Sequence, residues 1–181
     1  KIQETNAQNQ AEALKLENDY ITDLIKVSET INTDQVMSVN KDVANKYLKD
    51  QNNILINKYK SLATNNNVAI KFENYALAET QKTIFRNDKQ ISENILTNLI
   101  SGYEKQKDLL LITASTDTSG LAKSTLQTDL EKLTKDTFTS QLSAPELKVM
   151  IDSIPGEIEY MDALKSVQTE PRKTFYALKD K

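Results

Sequence analysis

The chain has 181 residues, a net charge of −3 and a pI near 5.2, and it contains no Cys, His or Trp. These absences remove disulfides, thiolate and imidazole metal sites, and the Ser–His and Cys–His nucleophile pairs. No Lys/Arg block is present to neutralise a run of phosphates, so nucleic acid is not an expected partner.

Hydrophobic residues make up 38%, below the usual share of about 45–50%. Three glycines and three prolines leave little material for turns. Long helices with narrow buried stripes fit this supply, and the expected fold is all-α: an elongated antiparallel bundle or coiled coil of about four long helices. The whole of 1–181 reads as a single domain, with residues 143–181 as a C-terminal subregion of short helices packed on the bundle. The longest apolar run, Leu109–Ile112, falls far short of the roughly 20 residues of a membrane span. The first residue is Lys1, not Met, which reads as a processed or excised form with room for a signal peptide or anchor upstream.

Residues 1–13 are polar and rich in Gln, Asn and Ala, a frayed first turn or a tether. A first helix carries Leu14, Ile21, Leu24, Ile25, Ser28 and Ile31 on one face. Asn32-Thr33-Asp34 breaks it, with Thr33 or Asp34 placed to cap the next helix. The second helix spans about 35–62, its stripe traced by Val36, Val39, Val43, Ala44, Tyr47, Leu48, Leu55, Tyr59 and Leu62, and Asn65-Asn66-Asn67 stops it. Val68, Ile70 and Phe72 alternate, yet no second strand exists to pair with them. The stretch reads as an extended or short helical connector tucking Ile70 and Phe72 under the bundle end.

The central helix is expected over Glu73–Ile112. Its broadest apolar face is Ile91, Ile95, Leu96, Leu99, Ile100 and Tyr103, and Arg86-Asn87-Asp88 marks a kink. A loop over 113–120 leads to a fourth helix bearing Leu121, Leu126, Leu130, Leu133, Thr137, Phe138 and Leu142. Pro145, Pro155 and Pro171 each follow Ser or Thr by two positions, the pattern of a capped helix start with Pro in the first turn. Three short helices are expected, about 144–152, 156–167 and 170–179, with a Ser143/Glu146 capping box opening the first.

No phosphate-cradling glycine loop, calcium loop or Glu-x-x-His pair is present, so no cofactor and no metal is expected and the chain does not read as an enzyme. The seven tyrosines are the remaining interaction candidates. Tyr20, beside the stripe of the first helix, and Phe175 with Tyr176 are the residues expected to be exposed and to contact a protein partner. The leading expectation is a non-enzymatic helical scaffold or adaptor. The alternatives are a ligand-sensing helical ectodomain with a pocket between helices, and a structural subunit of a secretion or filament assembly. The composition and long polar helices are similar in style to bacterial envelope proteins, which points to an extracytoplasmic or cell-surface location and leaves the cytoplasm open.

Overall fold

The computed structural model describes residues 2–169, and the side chains of 5–166. The chain is all-α. Five helices, α1 (Ile2–Thr33), α2 (Lys41–Ser61), α3 (Asn66–Thr116), α4 (Leu121–Phe138) and α5 (Ala144–Thr169), are joined by short connections, with a 3-10 turn at Met37–Val39. No strand occurs among the described residues, and none of their helices is long and apolar enough to cross a membrane. Two compact units, Lys1–Ile95 and Leu96–Lys181, divide the chain within α3.

Unit 1 consists of α1, α2 and the first part of α3. Its buried rows are Ala13, Leu16, Tyr20, Leu24 and Ile31 on α1, and Ala44, Leu48, Asn52, Ile56 and Tyr59 on α2. On α3 they are Val68, Phe72, Ala76, Thr80, Thr83, Asn87 and Ile91. Steps of three, four or seven keep each row on one helical face. Capping follows the sequence closely. Asp34 Oδ1 accepts from Val36 N and Met37 N, opening the 3-10 turn. Asn40 Oδ1 accepts from Asp42 N and Val43 N to start α2, later than the expected residue 35. Asn65 Oδ1 accepts from Asn67 N and Val68 N to start α3. Both α1–α2 and α2–α3 are short connections, so successive helices are antiparallel and α1 runs parallel to α3.

Several expectations are corrected. On α1 the buried row is offset from the predicted stripe, leaving Leu14 at 57% and Ile25 at 53% exposure. The 68–72 stretch is not a connector but the first turns of α3. Val68 and Phe72 are buried and Ile70 is exposed, because period 3.6 rather than period two governs them. Arg86-Asn87-Asp88 produces no break; α3 is helical throughout.

Unit 2 consists of the rest of α3 with α4 and α5. Leu111, Ala114, Leu126, Leu130 and Ile154 form its cluster, flanked by Leu110, Ala122, Ile158 and Met161. Tyr103 and Phe138 pack edge to face at 5.1 Å. Thr134 Oγ1 donates to Leu130 O at 2.8 Å, so the Tyr103 hydroxyl, 3.0 Å away, donates to Thr134. The expected face between Ile91 and Tyr103 is mostly uncovered: Leu96 and Ile100 are exposed and Ile95 and Leu99 half-buried. In the C-terminal subregion, the two short helices expected over 144–167 are one helix, α5, with Pro155 inside it. Its apolar row Ile154, Ile158 and Met161 runs on past the proline into the cluster, so packing holds the helix together. Ser143 does pair with Glu146 at its start, the hydroxyl donating at 2.5 Å and the backbone N–H at 2.9 Å. The third helix, 170–179, lies outside the described residues.

Candidate functional site

Unit 1 is pinned at its centre by a buried polar chain. The Tyr20 hydroxyl of α1 donates to Asn52 Oδ1 of α2 at 2.5 Å. Asn52 Nδ2 donates to Thr80 Oγ1 of α3 at 2.8 Å, and Thr80 Oγ1 donates to Ala76 O at 2.7 Å. All four residues are buried, and every step is satisfied, which is the condition under which a buried network holds a unique packing. Burial pushes the Tyr20 hydroxyl up in pKa, opposed by the Thr80 hydrogen bond and reinforced by Glu79 and Tyr75. The Tyr20 ring meets Phe72 and Tyr59 edge to face at 5.5 and 6.2 Å.

Beside this core, Asp23 of α1 accepts from Lys58 Nζ at 2.8 Å and from the Tyr59 hydroxyl at 2.7 Å on α2, and from Lys26 Nζ at 3.0 Å. Those bonds, Lys58's first, hold the Asp23 carboxyl well below the usual carboxylate range. The Tyr20 chain is closed off by burial, whereas the Asp23 cluster lies at the surface with Lys26 and Lys58 half exposed or more.

An open cleft of about 540 Å³ lies between α1 and α3, within unit 1. Its apolar patch is Ile21, Leu24, Ile25 and Tyr75; Glu29, Arg86 and Asn87 gather toward one end, and Ser28, Asn32, Glu79, Thr83 and Gln90 complete the lining. Tyr20 lies opposite Ala76 and Thr80, and α1 and α3 advance in parallel. Counting up from that level brings Glu29 level with Arg86 and Asn87, and Ile21 near Glu79. Asn87 is 4% exposed, and its Nδ2 has no hydrogen-bond partner. Such a donor costs roughly 1–3 kcal/mol when left unmatched. Neither Arg86 nor the Glu29 carboxylate makes a hydrogen bond or ion pair among the described residues. At the other end Glu79 is taken by Lys82. Burial, then Glu79 and Glu17, pushes the Tyr75 hydroxyl up.

No protein-family model, curated protein or solved structure matches the chain. The site therefore rests on its geometry alone.

Of the residues expected at a partner surface, Tyr20 is 0% exposed. That corrects the expectation that it is exposed: its ring fills the core, and its hydroxyl is bonded there, so burial carries no unmatched polar group. Phe175 and Tyr176 lie outside the described residues. Among the described residues no cluster of three or more acidic side chains is arranged to hold a metal ion. Glu29, Arg86 and Asn87 were not singled out as a group by sequence. One signal pointed toward them: Arg86 is one of two arginines among 23 basic residues, and Arg offers a planar fork that Lys lacks.

A second cleft, of about 410 Å³, lies in unit 2 between α3 and α5. Its cation is already committed, since Lys107 pairs with Glu104 at 2.8 Å and Glu157 at 3.3 Å. Burial works against the Lys107 charge, but these two carboxylates outweigh it and hold the ammonium protonated above its ordinary range.

Proposed function

We propose that the chain is a non-enzymatic helical binding module in which unit 1 clasps a small molecule between α1 and α3. The observation that carries this reading is a facing cation and carboxylate, Arg86 and Glu29, that line one end of the cleft with no bond to each other or to other described residues. The size supports it, since about 540 Å³ falls within the range of about 300–1,000 Å³ of small-molecule sites. The mixed lining supports it too, because polar groups fix orientation while the apolar patch of Ile21, Leu24, Ile25 and Tyr75 supplies affinity. The bundle is the scaffold: its Tyr20–Asn52–Thr80 chain ties α1 and α3, the two helices that frame the cleft, through α2.

A thermal-shift screen of small polar and amphipathic molecules tests the reading. Hits are expected to raise the melting temperature of the natural protein and to lose that effect in Ile25→Trp, which fills the cleft from an exposed position. Compounds that protect both proteins equally, or a screen with no protecting compound, would overturn it.

A further inference from the structure

Resting on the cleft reading above, we infer that the ligand is a zwitterion with an apolar side group, of the α-amino acid class, its head held by Glu29 and Arg86 and its side group laid along Ile25, Leu24, Ile21 and Tyr75. The charges at the polar end select this class. One cation and one carboxylate, Arg86 and Glu29, stand at the same level on facing helices with no bond to each other or to other described residues. A purely anionic ligand would leave Glu29 opposing it, and a purely cationic one would meet Arg86. A molecule carrying both charges a few ångströms apart matches both. The Arg86 fork suits a carboxylate bidentately. Glu29 accepts from the ammonium.

The remaining groups set the orientation. Eight residues of α1 separate Glu29 from Ile21, about 12 Å of helix rise, so the apolar wall extends away from the charged end far enough for a branched or aromatic side chain. Glu79 does not compete for the head, because Lys82 holds it. The unit 2 cleft has no comparable selectivity, its Lys107 being bound by two carboxylates.

Calorimetric titration of the full chain with L-leucine and L-phenylalanine tests the inference. Leucinamide, 4-methylpentanoate and glycine serve as probes lacking the carboxylate, the ammonium and the side group. Binding of leucine or phenylalanine is expected, weakened at least tenfold in each of the three truncated probes. Arg86→Gln should weaken leucine at least tenfold while leaving leucinamide unchanged, and Glu29→Gln should do the same for leucine against 4-methylpentanoate. Both positions are exposed and unpaired, so the variants should melt as the natural protein does. Truncated probes binding as well as leucine would overturn the zwitterion while leaving the cleft intact. So would failure of every amino acid when some other compound protects the natural protein but not Ile25→Trp. Failure of every compound would overturn the cleft reading itself.

Discussion

The Tyr20 hydroxyl and Asn52 Oδ1 are 2.5 Å apart across the α1–α2 interface, with both side chains buried. The pair sits at the head of a chain that reaches α3 through Thr80. Tyr20→Phe keeps the ring and its packing against Phe72 and removes only the donor. Asn52 Oδ1 is then left in an apolar interior, at a cost of roughly 1–3 kcal/mol. Asn52→Ala should cost a similar amount. Because the two residues share one bond, the double variant should fall short of the sum by about 0.5 kcal/mol or more. Urea denaturation of the three variants measures this, and strict additivity would show that the two groups are energetically independent.

Asp23 links two helices through charge-assisted bonds, and its depressed pKa fixes the direction of the pH effect. The unfolded chain protonates Asp near pH 3.9, whereas the folded carboxylate resists protonation until lower pH. The stabilisation is therefore complete above the unfolded value and drains away as pH falls through the folded one. Lys58 carries the complementary sign. Its pKa is raised by Asp23, so its contribution holds below the ordinary Lys range and is lost as pH rises through the raised value. Asp23→Asn should lower stability at pH 7 by about 1 kcal/mol, since the group is near the surface, and flatten the loss between pH 5 and 2. Thermal melts of both proteins across that range read the slope. Glu12, whose pKa is lowered by Thr64, leaves a residual slope of the same sign. An unchanged acid limb in Asp23→Asn would contradict the assignment.

The sequence made the helical class, the Asp34 cap and the Leu126, Leu130 and Phe138 positions of α4 legible, because each depends on local chemistry, whereas Asn65 caps the start of α3 rather than stopping α2, and Leu121 is exposed. The sequence misplaced the α1 face because Leu14, Ile21 and Ile25 form an apolar stripe as regular as the true one. What decides between the stripes is Tyr20, whose hydroxyl finds a partner 32 residues away. Ala13 and Ala44 are core positions for the same non-local reason: small side chains let helices approach, which hydrophobicity alone does not register. The cleft was less legible still. Arg86, Asn87 and Asp88 read as one polar interruption, but they divide among separate tasks. Asp88 accepts from Asn45 of α2 at 2.9 Å, while Arg86 and Asn87 line the α1 side.

Ile91 and Leu96 separate a packed position from an apolar one. Ile91 is fully buried in unit 1, whereas Leu96 is 38% exposed. Ile91→Asp places an unpaired carboxylate in the core and should cost more than about 4 kcal/mol, enough to unfold unit 1. Leu96→Asp leaves its charge in water and should change stability by less than about 1 kcal/mol. Circular dichroism melts of the two variants suffice. Comparable losses would mean that Leu96 is covered in solution.

Pro155 is the residue of α5 whose chemistry most opposes the element containing it. Proline in a helix interior removes a backbone donor and crowds the preceding turn, a cost of about 3 kcal/mol. The carbonyl of Ile151 is the one left without its helical donor. Opposing this, Ile154 is buried next to the proline, and Ile158 and Met161 continue the row into the unit 2 cluster. Splitting the helix at 155 would pull that row out of register. Pro155→Ala restores the donor without touching the packed side chains, so it should stabilise unit 2 by about 1–3 kcal/mol. Ile154→Ala should do the reverse, costing about 2–5 kcal/mol through the lost burial and the cavity left behind. Urea unfolding of the two variants gives both signs. A destabilised Pro155→Ala would mean that the helix uses the local distortion of the proline to seat Ile154.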